Sequence, residues 1–83
     1  TPSPIVILNK TITLAKIKGA ENALQELEVW RDNAELKDYL LFYITLGDLE
    51  AETGRKNEAI ISYQRAKKLS DNEVVKRLSL IHI

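Results

Sequence analysis

The sequence predicts an all-helical chain of repeated helix pairs: about five antiparallel helices in one domain spanning residues 1–83. Three observations predict it. Gly19 and Gly54 punctuate the chain 35 residues apart, and the pairs Ala23/Ala59, Leu27/Tyr63 and Trp30/Ala66 recur at a 36-residue step. Between these marks, apolar residues return at three- and four-residue spacing, as one face of a helix requires. A recurrence of about 34 residues with a helix, a short turn and a helix per unit describes a helical solenoid.

The elements follow in order. Ser3 is a predicted N-cap, with Pro4 at the first helical position, where its missing N–H is no loss. The segment from Ile5 to Lys18 is rich in β-branched residues, and Thr11-Ile12-Thr13-Leu14 alternates as a strand would. Ile5, Leu8, Ile12 and Ala15 nevertheless keep helical spacing, and no second segment offers a strand to pair with, so a helix is predicted. After Gly19 a second helix is expected from about Ala20 to Arg31, with Ala20, Ala23, Leu24, Leu27 and Trp30 as its inner stripe. Asp32 and Glu35 have capping-box spacing and predict a third helix running to about Thr53. That helix carries Leu36, Tyr39, Leu40, Tyr43 and Leu46 on one side and Leu41, Phe42, Ile44 and Leu49 elsewhere, so burial on more than one face is expected. Gly54 stands where a left-handed helix cap belongs. A fourth helix is expected from about Lys56 to Leu69, facing inward with Ala59, Ile60, Tyr63, Ala66 and Leu69. Ser70 and Glu73 form a second capping box, which predicts a short fifth helix with Val74, Val75, Leu78 and Ile81 as its apolar side. Connections of a few residues make successive helices antiparallel neighbours.

Within this frame, Tyr43 to Asp71 resembles the tetratricopeptide consensus. Leu46-Gly47 stands in the first helix, Gly54 at the turn, and Ala59, Tyr63 and Ala66 in the second. The resemblance implies two tetratricopeptide-like repeats plus a capping helix. Gly47 and Ala59 would be small because paired helices cross closely there, Tyr63 would fill the gap to the next helix, and Ala66 would keep that contact short. Asp71 replaces the consensus proline and Glu50 the consensus tyrosine. The first repeat matches mainly by spacing, since Trp30 occupies a normally small position.

The chain is also similar to the C-terminal extension of bacterial RNA polymerase sigma factors of the extracytoplasmic-function class. The likeness rests on the run from Ser3 to Lys10, then Leu36, Tyr39, Asp48-Leu49, Gly54-Arg55, Glu58-Ala59, Tyr63-Gln64-Arg65-Ala66, Leu69, Asn72-Glu73 and Leu78. Leu46, Ile44 and Thr53 depart from that family's usual arginine, alanine and leucine. The resemblance implies a cytoplasmic, non-catalytic module of a transcription initiation factor. Its partners would be the upstream sigma domains of the same chain, RNA polymerase, or both. A generic tetratricopeptide scaffold that binds a peptide or helix of an unrelated partner is the alternative.

Composition narrows the chemistry. The 83 residues hold twelve basic and twelve acidic side chains, no cysteine and no methionine. Without cysteine there are no disulfides, thiolate metal sites or cysteine nucleophile, and a chain without methionine is expected to be an excised domain or a processed form of a larger protein. Charge is segregated: residues 1–20 hold three lysines and no acid, residues 21–54 a net charge of −7, and residues 55–83 a net charge of +4. Solvated helix faces account for this, and so does a partner-facing charged surface. No apolar run approaches the roughly 20 residues of a membrane span. His82 is the sole histidine, beside the chain end, and the three glycines stand alone, so neither a metal site nor a phosphate loop is expected. Asp48 and Glu52 share a helix face but read as a solvated acidic face rather than a catalytic pair. Arg65, Lys67, Lys68, Lys76 and Arg77 make the C-terminal part basic with too few aromatics for nucleic acid, so no direct DNA contact is expected. No catalytic residue, cofactor or metal is assigned.

The expected activity is therefore recognition. Leu41, Ile44 and Asp48 are expected to form an inner surface suited to an apolar or basic helix. Arg55 and Glu58 join the candidate surface as a local ion pair or a partner anchor. A solenoid needs about three repeats to bury a continuous core. The isolated residues are thus expected either to pair as a homodimer or to be marginally stable.

Overall fold

A computed structural model of the chain describes the backbone of residues 3–81 and the side chains of residues 3–72. The described chain is all-helical, with four helices and no strand: α1 (Pro4–Lys18), α2 (Ala20–Glu28), α3 (Leu40–Glu52) and α4 (Lys56–Ile81). Each packs on its neighbour in sequence, and α1 also touches α3. The molecule measures 49 × 31 × 20 Å. Its short axis equals about two helix diameters, so the helices lie in two layers.

The strand-like alternation from Thr11 to Leu14 lies in α1. Thr11 is buried and donates its hydroxyl to the Ile7 carbonyl at 2.9 Å, which satisfies the one polar group on the inner face. Ser3 caps the helix by accepting from the Val6 amide, with Pro4 at its start, as expected. The buried stripe is rotated from the expected one. Ile7, Leu8 and Thr11 are buried with Leu14 and Ala15 half-buried, while Ile5 and Ile12 are 59% and 45% exposed. Gly19 alone separates α1 from α2, which folds back and packs on it. Gly19 has φ +94° and ψ 163°, a region essentially restricted to glycine. Its N–H bonds the Ala15 carbonyl and its carbonyl accepts from Ala23.

The helix expected from Asp32 begins instead at Leu40. Asn33 Oδ1 accepts from the Glu35 amide at 2.9 Å, taking the donor that an Asp32 cap would need to organise. Residues 29–39 form successive turns with bonds such as Leu36 N–H to the Asn33 carbonyl. They fold Leu36 fully into the core, and Tyr43 secures the segment by donating to the Lys37 carbonyl at 2.6 Å.

Gly54, at φ +82°, ends α3 as expected. Arg55 N–H bonds the Glu50 carbonyl and Gly54 N–H the Ala51 carbonyl, the paired bonds of a Schellman cap. The expected break at Ser70 is absent: α4 runs through Ser70, Asp71 and Asn72, so four helices replace the predicted five. Asp71 keeps the backbone N–H that a proline would remove, and nothing at 69–72 forbids helical dihedrals. The expected apolar side of Val74, Val75, Leu78 and Ile81 lies outside the described side chains, as does His82.

The core is a single cluster of Ile7 and Leu8 from α1, Ala23, Leu24 and Leu27 from α2, Leu36 from the turn, and Phe42, Leu46 and Leu49 from α3. Phe42, Leu27, Leu36 and Leu46 are its largest fully buried side chains. In α4 the expected Ala59 and Ala66 are buried, together with Ser62, whereas Ile60 and Tyr63 are 54% and 39% exposed.

Candidate protein-interaction surface

Helix α3 is the central element, and its side chains reach both neighbours. On the α4 side, Gly47 lies directly under the Tyr63 ring. A Cβ at position 47 would sit 2.7 Å from Tyr63 Cε1 and 2.9 Å from Cδ1, closer than carbon atoms approach, so the missing side chain is what admits the ring. Tyr63 then donates its hydroxyl to Asp48. That bond, with help from partial desolvation and the charge of Asp48, pushes the phenol from 10.0 up to about 12. One turn on, Glu50 is 2% exposed. It accepts from the Ser62 hydroxyl at 2.5 Å, and its other oxygen lies 3.7 Å from the Arg31 guanidinium, which is itself paired with Glu28 at 2.6 Å. Glu50 thus joins the segment after α2 to α4.

On the α1 side, α3 leaves a groove of about 290 Å³. Ile12, Ala15 and Lys16 of α1 form one wall, and Thr45, Asp48, Leu49 and Glu52 of α3 the other. Ile12 and Leu49 supply an apolar floor, Asp48 and Glu52 an acidic lip one turn apart, and Lys16 a single opposing cation. Such a groove offers packing and charge to an amphipathic segment but no activated nucleophile. Among the described residues, no three histidine, cysteine or carboxylate side chains gather in a metal-binding group.

The five residues expected to form the surface do not share one site. Leu41, Ile44 and Asp48 lie along one side of α3, with Leu41 49% exposed, Ile44 half-buried and Asp48 exposed on the groove. Arg55 and Glu58 stand at the start of α4, and Arg55 pairs with a different partner from the one expected. Its Nη1 and Nη2 donate to both Glu21 oxygens, at 2.9 and 2.7 Å, tying that turn to the first turn of α2. This pairing, chiefly its hydrogen bonds, lowers the Glu21 carboxyl below its usual range and raises Arg55. Glu58 is exposed and adds only a longer-range attraction. The partner of Arg55 lies 34 residues away, beyond the reach of local spacing rules. Sequence reasoning missed Ile12, Lys16 and Glu52 as groove residues. The shared face of Asp48 and Glu52 was the available signal, whereas Ile12 was read only as keeping helical spacing.

Among the described residues no helix is long and apolar enough to cross a membrane. No protein-family model and no solved structure matches the chain. A protein of Rhizobium meliloti (strain 1021), itself described as uncharacterized, is 34% identical over 71 residues, which cover 86% of this chain. The chain spans only 16% of that relative's length, so it is similar to a small part of a much longer polypeptide.

Proposed function

We propose that this chain is a tetratricopeptide-like, non-catalytic interaction module of a cytoplasmic sigma-type transcription initiation factor, acting through protein contacts with sigma domains or RNA polymerase. The observation that carries the interaction reading is the α1–α3 groove, with its apolar floor of Ile12 and Leu49 and its acidic lip of Asp48 and Glu52. The nesting of Tyr63 over Gly47, with the glycine-capped turn between them, supports the repeat reading. The transcriptional assignment is supported by the likeness from Ser3 to Leu78 described above. A relative about six times the length of the matched segment leaves room for further domains.

In vitro transcription tests the proposal with three forms of the full-length protein: intact, lacking these 83 residues, and carrying Asp48→Lys with Glu52→Lys. Deletion is expected to change initiation and the double charge reversal to reproduce that change, with Tyr63→Phe, which removes only the bond to Asp48, as the control that leaves initiation intact. Unchanged initiation in both would overturn the transcriptional role. The groove itself favours a second reading, a scaffold that takes a basic amphipathic helix. That reading predicts weakened peptide binding by the same double variant with no effect on initiation.

A further inference from the structure

Helix α4 packs on α3 through small side chains, burying Ala59, Ser62 and Ala66. On its opposite flank Ile60 and Ile61 are each more than half exposed, although both are large and apolar. At the helical turn per residue, Lys56, Lys67, Ile60, Gln64, Lys68 and Ile61 fall within one arc of about 140°. Asp71 is the single carboxylate of the described part of α4 inside that arc, and Glu58 lies outside it. The flank is thus a basic amphipathic face.

The surface that answers it is on the same molecule. The α1–α3 groove has Ile12 and Leu49 as its floor and sets Asp48 and Glu52 against Lys16 alone. Among the described residues, neither these two carboxylates nor the three α4 lysines take part in an ion pair, whereas Arg31, Arg55 and Arg65 each do. No residue of α4 lines the groove, and α4 packs on α3 and not on α1, so the flank does not reach the groove of its own chain. Charge opposes other contacts between copies. Two α4 flanks would set lysine against lysine, and the outer side of α1, a helix with Lys10, Lys16 and Lys18 and no acid, would repel the flank as well. We propose that α4 of one copy docks in the α1–α3 groove of another, with Ile60 and Ile61 over Ile12 and Leu49 and the lysines against Asp48 and Glu52. This names the occupant for the second reading above, a groove that takes a basic amphipathic helix, and rests on it.

Sedimentation velocity tests the contact. Self-association that rises with protein concentration and weakens with added salt is expected. Asp48→Lys with Glu52→Lys, and separately Lys67→Glu with Lys68→Glu, should each raise the dissociation constant at least about tenfold with unchanged circular-dichroism spectra. Glu52→Lys alone, which leaves the bond between Tyr63 and Asp48 in place, should weaken association in the same direction. All four substitutions in one chain set an acidic flank against a basic groove and should restore association, a rescue that requires the two surfaces to meet. Lys10→Glu, outside the groove, should change nothing. A chain that stays monomeric at every concentration, charge reversals that leave association intact, or a fourfold variant that does not recover would each overturn the proposal. A synthetic lysine-flanked amphipathic peptide separates this failure from that of the groove reading. Peptide binding that Asp48→Lys with Glu52→Lys abolishes, in a chain that stays monomeric, would overturn the self-contact and leave the groove as a docking site, whereas no binding would remove both.

Discussion

The two sides of α3 are built from different materials. Toward α1 and α2 it presents Phe42, Leu46 and Leu49, which join the apolar cluster with Leu8, Leu24, Leu27 and Leu36. Toward α4 it presents a glycine under a tyrosine ring, a buried carboxylate bonded to a serine, and an aspartate bonded to a phenol. The first seam draws on removal of apolar surface from water, which is large and tolerant of direction. The second draws on close approach and directed bonds, which are smaller in net worth but satisfied in one register only. The apolar side therefore holds the domain together, and the polar side fixes where α4 lies along it.

Substitutions can break that contrast, and the largest effect is expected on the apolar side. Phe42→Ala removes a fully buried ring and should cost about 3–5 kcal/mol. On a domain of this size that loss should abolish cooperative thermal unfolding, as followed by circular dichroism. A melt that stays cooperative would show that the first seam is not the principal source of stability. Gly47→Ala should be milder, at about 1–3 kcal/mol, because the Tyr63 ring is at the surface and can move. Its signature is coupling. Combined with Tyr63→Ala, the glycine substitution should add almost nothing, whereas additive losses would mean the ring is not what Gly47 accommodates.

The smallest effect sharpens the comparison through pH. The Tyr63 phenol is raised from 10.0 to about 12, so its protonated form is favoured in the folded chain. Its contribution is full below pH 10 and is lost as pH rises through about 12. An ultraviolet difference titration of the chain against its Tyr63→Phe variant should isolate one ionisation near 12. A midpoint near 10 would show that the bond to Asp48 does not persist in solution.

The legible parts of this fold were those in which one residue type answers one local need. Gly54 at a positive-φ cap and the stripe from Ala23 to Leu27 could be anticipated from spacing, whereas the close approach at Gly47 was expected opposite Ala59 and is made instead by the Tyr63 ring. The helical state of Thr11 to Leu14 was also legible, because an isolated strand would have no ladder. What failed was local evidence standing in for tertiary choice. Asp32 and Glu35 have capping-box spacing, but Asn33 holds the nearby amide and Leu36 is drawn into the core. Ser70 and Glu73 have it too, yet an uninterrupted helix satisfies the same backbone groups. For the candidate surface, Asp48 was named and the Arg55–Glu21 pair was not, since nothing in a run of neighbours announces a partner 34 residues away. The Ile12 wall was missed because helical spacing alone does not say which flank of α1 the neighbouring helices cover.

That joint has a further consequence. Gly19 alone stands between the hairpin and an uninterrupted rod: if its φ relaxed to a helical value, α1 and α2 would fuse into one helix of about 25 residues, Pro4 to Glu28. Such a rod would carry its apolar stripes uncovered and would reach for the corresponding stripes of another molecule, which is how exchange of elements between protomers begins. Alanine at this position would strain the reversal and favour the rod together, with about 1 kcal/mol from helix propensity alone. The choice between folding inward and trading helices with a neighbour is thus delegated to the one residue in the sequence without a side chain at that bend.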